Sequence, residues 1–194
     1  MHTETGNIGR LVAHSAAAFF VLILTRQAIQ STGMVPPGDG GILYGLWKMG
    51  IILPLHEAGH LIFTPLGYAL MIFGGSFWQV AFPLSLVIVA YRQGSFWWTI
   101  YVSLMGVHLI DLTPYIFDAP FRSLPLITGR KDSHDWANLL NHFQVPHLSE
   151  PLSDLSFYGG ILVCAVGTIL AVLWIVREFR GGNMPPLPGF NRSH

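Results

Sequence analysis

The chain has 194 residues, of which 52% are hydrophobic and only 10% are charged, and its mean hydropathy is +0.51. Soluble domains carry about a quarter charged residues, so this composition excludes an ordinary soluble domain and predicts several membrane-spanning helices. The positive and negative side chains balance to a net charge of zero, which excludes the basic surface of a nucleic-acid-binding protein and hence a nucleic-acid partner. Cys164 is the single cysteine, so neither an internal disulfide nor a thiolate metal cluster can form.

Apolar windows of about 20 residues predict the membrane spans. Five such windows lie at approximately 9–29, 42–64, 75–91, 95–117 and 156–178. We therefore expect an all-α polytopic helical bundle of about five spans, with a range of four to six, in contact with membrane lipid. Residues 1–180 form one membrane domain on this interpretation, and the first apolar window is a retained span, because no small-x-small signal cleavage site follows it.

The connections between spans differ in length and composition. The sequence STGMVPPGDGG, residues 31–41, is a Pro- and Gly-rich loop. Residues 118–155 form the longest extramembrane connection, and long loops are often functional. Within it, HDWANLL at 134–140 predicts a short helix at the membrane interface that folds over a site on its own side. The Pro- and Gly-rich tail 181–194 is not expected to fold alone, so other membrane subunits are expected to contact it.

Five spans place the two termini on opposite sides of the membrane. Six Lys and Arg residues then lie on the side of the C-terminus and four on the side of the N-terminus. Because cytoplasmic loops carry an excess of Lys and Arg, the C-terminus is predicted to be cytoplasmic and the N-terminus to lie outside.

The second predicted span contains the sequence HEAGH, residues 56–60, which has the pattern H-E-x-x-H. On a helix, His56 and His60 point the same way from adjacent turns and can occupy two positions of a tetrahedral metal ion. Glu57 lies beside them, where its carboxylate can act as a general base on a metal-bound water. An ionisable side chain inside a span costs about 2.5–3.5 kcal/mol, so we interpret the motif as a metal site. Zn²⁺ is the favoured ion, with iron or no metal as open alternatives.

Depth along the spans nominates further ligands on the fourth span. His56 lies about 21 Å along its span, and His108 and Asp111 lie about 20 and 24 Å along theirs. In VHLIDLTPYIFDA, residues 107–119, these two side chains share one helical stripe with Tyr115 and Asp118. The intramembrane histidines, including His14, are therefore expected to cluster in one leaflet.

Asp111 is the first candidate for a third ligand, with a structural carboxylate or a hydrogen-bond partner of a ligand histidine as alternatives. Asp118 can instead cap the end of its helix. The candidates for an alternative ligand or for a side chain that supports a ligand are His108, Asp118, His134 and Asp135.

H-E-x-x-H inside a hydrophobic segment, with an aspartate in a later span, resembles the site-2 protease family of intramembrane zinc metalloproteases. The resemblance implies that His56, His60 and an aspartate hold zinc, with Asp111 nearest to the family's aspartate. It also implies that Glu57 activates water to cut a transmembrane peptide substrate. The stretches HEAGH, IDLTPYIFDA and HDW further resemble a group of bacterial membrane proteins, which implies the inner (cytoplasmic) membrane of a bacterium.

Three functions follow as alternatives. The first is a zinc-dependent intramembrane metallopeptidase, a hydrolase. The second is a non-catalytic, metal-binding subunit of a larger bacterial membrane complex. The third is a redox protein in which histidines, including His14 and His108, hold haem or iron.

Overall fold

The computed structural model of the chain describes residues 2–34, 41–126 and 129–180, with side chains from residue 8 onward. Its helices are α1 (His2–Ser31), α2 (Ile42–Trp47), α3 (Leu53–Phe63), α4 (Tyr68–Arg92), α5 (Trp97–Phe117), α6 (Asp135–His142) and α7 (Ser149–Phe179). The described ranges contain no strand, so the predicted all-α fold is confirmed. The tail 181–194 and the middle of the loop before α2, for which we made predictions, lie outside the described residues.

Among the residues that the structure describes, four helical segments are long and apolar enough to cross a membrane. They are Ile8–Ser31, Tyr68–Arg92, Trp97–Phe117 and Pro146–Phe179, and they match the first, third, fourth and fifth predicted spans. The number of candidate spans in the described part of the chain is thus at the lower bound of the predicted range, and the architecture fits an integral membrane helical bundle.

Helices α5 and α7 pack closely because small residues line their contact. A side-chain carbon on Gly106 would lie 2.6 Å from the carbonyl oxygen of Gly160, so the two backbones are nearly in contact. The hydroxyl of Ser156 also donates to the carbonyl of Leu109 at 2.7 Å. In lipid the hydrophobic effect does not drive helices together, so close packing of small residues and hydrogen bonds from hydroxyl groups hold them. Helices α5 and α7 are therefore a tightly packed pair.

The first turns of α1 and the last turns of α7 lie at the same end of the bundle. His14 is 2.7 Å from Glu178, and its ring stacks on Phe96, just before α5, at a centroid distance of 3.9 Å. We call this end the terminal end, and the opposite end, where α6 lies, the loop end. The described ends of α1 and α7 thus lie together, whereas five alternating spans would separate them, and the prediction that His14 shares a leaflet with the other histidines is wrong. The assignment of the termini to the outside and the cytoplasm stays a prediction.

The cause of this difference is the motif segment, residues 42–63, which comprises α2, a π turn (Lys48–Ile52) and α3. The backbone N–H of Tyr44 donates to Gln27 near the end of α1 at 2.9 Å. At its other end, the segment leads through Gly67 into α4, which also starts at the loop end. Trp47 contacts His108 in between, at 3.4 Å. The motif segment thus begins and ends at the loop end of the bundle and does not run to the terminal end.

The π turn follows from the proline that comes after it. Pro54 has no N–H, and in a regular α-helix its ring would collide with the carbonyl of Gly50. The turn widens instead, and the N–H of Leu53 donates to the carbonyl of Lys48, five residues back. One extra residue rotates the helix by about 100°. Lys48 and His56, about 80° apart in a regular α-helix, therefore come within about 20° and face the same side.

Candidate metal centre

The structure brings His56 and His60 together with Asp135, the first residue of α6. One ligand atom from each residue lies within 4.8 Å of the other two. The Nε2 atoms of His56 and His60 are 3.1 and 3.3 Å from Asp135 Oδ2. In a tetrahedral zinc site with bonds of about 2.0–2.1 Å, neighbouring ligand atoms are about 3.3 Å apart. The spacing therefore fits a small metal ion between these three side chains.

The ring of His60 is held by a backbone carbonyl. Its Nδ1 lies 2.9 Å from the carbonyl oxygen of Met71, and a carbonyl can only accept a hydrogen bond. The Nδ1 atom of His60 therefore carries the proton, and the lone pair of a neutral ring is on Nε2, which faces Asp135.

The ring of His56 is held in the same way by Gln79, a fully buried residue of α4. The Gln79 amide nitrogen is 3.1 Å from both the His108 carbonyl and an Asp111 carboxylate oxygen. Both of those groups are acceptors, so this assignment of the amide satisfies both of its N–H groups. The Gln79 oxygen then accepts the Nδ1–H of His56 at 3.0 Å, which leaves the Nε2 lone pair of His56 toward Asp135 as well.

Two lone pairs and a carboxylate thus face one another, and this arrangement could hold a cation. Burial raises the pKa of the Asp135 carboxyl, but hydrogen bonds from His56 and His60, which form only when their Nε2 atoms carry protons, outweigh burial and lower that pKa to about 2. Asp135 is therefore negatively charged. Two added protons would place two imidazolium rings side by side, with centroids 4.8 Å apart, and these would repel each other. One divalent ion satisfies all three groups, and the donor set of two imidazoles and a carboxylate fits zinc.

Gly75 of α4 leaves the space that such an ion needs. A side-chain carbon at this position would lie 2.6 Å from Nε2 of His60 and 2.7 Å from Nε2 of His56. The rings can tolerate that carbon only by turning away from Asp135.

We therefore expect Gly75→Ala to lower zinc affinity at least about tenfold, the effect of misorienting ligand side chains, while the helical content stays unchanged. The matched control is Gly45→Ala, because an added carbon at Gly45 meets no atom within 4 Å. Zinc retained after gel filtration and circular dichroism are the measurements. Wild-type zinc affinity in Gly75→Ala would show that the ion lies elsewhere.

Asp135 is oriented by α5. The hydroxyl of Tyr115 accepts the backbone N–H of Asp135 at 3.0 Å and donates to Asp135 Oδ2 at 3.2 Å. The preceding residue, His134, is fully buried and stacks on the Tyr115 ring at a centroid distance of 4.3 Å. It also caps the start of α6, accepting the N–H of Ala137 at 3.3 Å. His134, a candidate ligand by sequence, thus supports Asp135.

Asp118, another candidate, stabilises the turn after α5. Its carboxylate accepts the backbone N–H groups of Ser123 and Leu124, each at 2.9 Å. Burial raises the pKa of Asp118, but these hydrogen bonds, together with one from the Ser123 hydroxyl, outweigh burial and lower it. Asp118 also lies 3.3 Å from Nε2 of His134. It is the helix-end cap foreseen as its alternative role.

Asp111 lies outside the ligand group and reaches His56 only through Gln79. Its carboxylate is hydrogen-bonded by the hydroxyl of Tyr44 and is 2.9 Å from Nζ of Lys48. Depth along the helix placed Asp111 at the right level. It could not show that the side chain of Gln79, on the intervening helix, fills the gap to the motif. The contacts of Asp111 are those of a hydrogen-bonded structural carboxylate, one of the roles expected for it.

His108 is also engaged elsewhere. Its Nδ1 lies 2.7 Å from the carbonyl of Gln79, and its Nε2 faces the indole N–H of Trp47 at 3.4 Å. Both ring nitrogens therefore have partners, and His14 lies at the terminal end. In the part of the chain that the structure describes, these two histidines do not converge on His56, which argues against the redox interpretation.

A cavity of about 550 Å³ opens beside the ligand group, a size typical of small-molecule and cofactor sites. Glu57 is exposed on its wall, and no other described residue forms a hydrogen bond with it. The apolar lining of the cavity includes Ile52, Leu53, Ile72, Leu112 and Leu126. With three protein ligands, a bound ion keeps a coordination position for a molecule in this cavity.

Sequence reasoning missed the roles of Gln79, Gly75 and Tyr115. Gln79 carried a usable signal, because an amide in the apolar sequence SFWQVAFPL is costly unless it is hydrogen-bonded. Gly75 carried none, since its importance depends on which rings lie opposite. No protein-family model, curated protein or solved structure matches the chain, so inference about function rests on the geometry of this centre.

Proposed function

We propose that the protein is a zinc-dependent intramembrane metallopeptidase. The observation that carries the proposal is that the three-residue group of His56, His60 and Asp135 adjoins a cavity whose wall also bears Glu57. Structural zinc sites are closed by four protein ligands, whereas catalytic sites keep one position open. Three ligands beside an accessible carboxylate therefore favour catalysis.

Different residues of the chain have separate roles in the proposed peptide hydrolysis. Zinc, when bound, supplies a Lewis acid that polarises the substrate carbonyl and acidifies water. Glu57 accepts the proton of the attacking water as a new bond forms to the carbonyl carbon. It then returns that proton to the leaving amine nitrogen as the C–N bond breaks. Gln79 and the Met71 carbonyl keep the two imidazole rings oriented.

The surroundings of the site favour a hydrophobic substrate. The cavity wall is largely apolar and lies within the bundle, at the level of Leu112 on α5, so a peptide stretch from a transmembrane segment suits it. We place the protein in the inner membrane of a bacterium, on its resemblance to bacterial membrane proteins. Because the start of α1 and the end of α7 lie together at the terminal end, we propose that both lie on one side of that membrane.

One observation favours the second candidate, a non-catalytic metal-binding subunit. Asp135 belongs to the extramembrane helix α6, whereas both histidines belong to the motif segment, so an ion would fasten the two elements together. Trp136 adds a second fastening, since its indole N–H donates to Ser76 of α4 at 3.0 Å. A purely structural ion would leave Glu57 without a role.

Chelation separates the two candidates. The purified protein in lipid nanodiscs is incubated with a library of synthetic hydrophobic peptides, and the products are identified by mass spectrometry. We expect cleavage that a zinc chelator abolishes and added Zn²⁺ restores, with no restoration in His56→Ala. A fully zinc-loaded protein that cleaves none of the peptides of the library would contradict the peptidase and favour the structural subunit.

A further inference from the structure

Lys48 shares the cavity with the metal centre. Its side chain is 43% exposed and lines the same cavity as Glu57 and His56. Lysine within a membrane bundle is rare and faces an interior partner or a water-filled space. The π turn brings Lys48 onto the face of the motif segment that carries His56. This irregularity therefore presents an ammonium group and the metal ligands to one space.

The hydrogen bonds around Lys48 leave part of its donor capacity free. Asp111 is 2.9 Å away and is the one acceptor found for Lys48 among the described residues. An ammonium has three N–H donors, so two have no acceptor among the described residues, on a side chain that lines the cavity. Asp111, for its part, already receives hydrogen bonds from Tyr44 and Gln79. Lys48 thus shares the Asp111 carboxylate with two other donors, and Asp111 does not use all the N–H groups of the ammonium.

We propose that Lys48 binds an acidic group of the substrate, a carboxylate or a phosphate. Charge-assisted hydrogen bonds are about twice as strong as neutral ones, and an unpaired donor in apolar surroundings is costly. The inference rests on the proposed function and narrows it: the substrate is an amphiphile with an anionic oxygen group at one end. With one residue taken up by the π turn, the backbones of Lys48 and His56 are about 10 Å apart along the helix axis, so that group binds away from the reacting bond on the Lys48 side.

The lining between the two points supports this assignment. Ile52 and Leu53 lie between Lys48 and the motif along the segment and also line the cavity. They provide an apolar stretch for the chain that joins the acidic group to the bond to be cut. A substrate bound at both points has its scissile bond held beside Glu57, and such positioning accelerates the reaction.

Hydroxamates test the proposal without knowledge of the natural substrate, because they bind an open metal position directly. The protein is loaded with Co²⁺, and binding is followed by the visible absorption of the ion. The probes are alkyl hydroxamates of increasing chain length that end in a methyl, a carboxylate, a phosphonate or a methyl ester. We expect the best anionic probe to bind about tenfold more tightly than its methyl-ended counterpart. The carboxylate and phosphonate arms identify which acid is preferred.

In Lys48→Met that gain should disappear, and in Lys48→Arg it should persist in part. The methyl ester provides the same comparison in the wild-type protein, should Lys48→Met fail to fold. Equal affinities for charged and neutral probes in the wild type would overturn the proposal and leave Lys48 as a structural partner of Asp111. Absence of binding by every hydroxamate would overturn the open metal site as well, so the two failures are distinguishable.

Discussion

Asparagine in place of Asp135 is expected to lower zinc affinity by more than about 100-fold. Removal of a residue that supports a ligand costs about 10–100-fold in metal affinity, and loss of a charged ligand should cost more. Asp111→Asn is expected to stay within about tenfold of the wild type, because Asp111 contacts Gln79 and not the ion. Asp132→Asn is the matched control, since Asp132 is exposed and pairs with Arg130.

Competition with a fluorescent zinc chelator measures these affinities in detergent or nanodiscs. Circular dichroism and gel filtration of each variant separate loss of the ion from loss of the fold. If Asp111→Asn released zinc while Asp135→Asn retained it, Asp111 and not Asp135 would be the third ligand, as depth along the helices had nominated.

Glu57→Gln is expected to keep zinc and to slow peptide hydrolysis by at least about 100-fold. General acid–base catalysis by a positioned side chain contributes about 10²–10⁴-fold. Glutamine keeps the shape of the side chain but cannot take up the proton of water. Because Glu57 contributes no atom to the ligand group, the zinc content should equal that of the wild type. The matched control is Glu150→Gln, at an exposed position at the start of α7.

Two results would contradict this role of Glu57. Hydrolysis at the wild-type rate with zinc bound would exclude Glu57 as the base. Loss of zinc in Glu57→Gln would instead make Glu57 a ligand, and the open coordination position would then have to be reassigned.

Most of the bundle could be predicted from the sequence, because long apolar windows have few alternatives to a membrane-spanning helix. This holds for α4, α5 and α7, and also for α6, the helix predicted from HDWANLL. The motif segment was the exception. It is as apolar as a span, but hydropathy reports how many residues avoid water and not the direction in which the helix runs. Its direction depends on Tyr44 meeting Gln27 and on the π turn before Pro54.

The candidate site was predictable in part for a related reason. His56, Glu57 and His60 follow from spacing on one helix, which is local information. Asp135 lies 75 positions after His60 in the chain and joins the group only because α6 folds back over the loop end. Its position depends on Tyr115 and His134, so local patterns could name Asp135 as an alternative but could not prefer it to Asp111.

His56, His60 and Asp135 are proposed to hold one metal ion with a position open to the cavity, and X-ray absorption at the zinc edge of the purified, zinc-loaded protein tests this most directly. We expect about four nitrogen and oxygen ligands at about 2.0–2.1 Å, with the multiple-scattering signal of two imidazoles and no sulfur. In His56→Ala the imidazole signal should fall by about half or the zinc should be absent. A zinc spectrum without imidazole scattering, or a wild-type protein that binds no zinc, would contradict this ligand set.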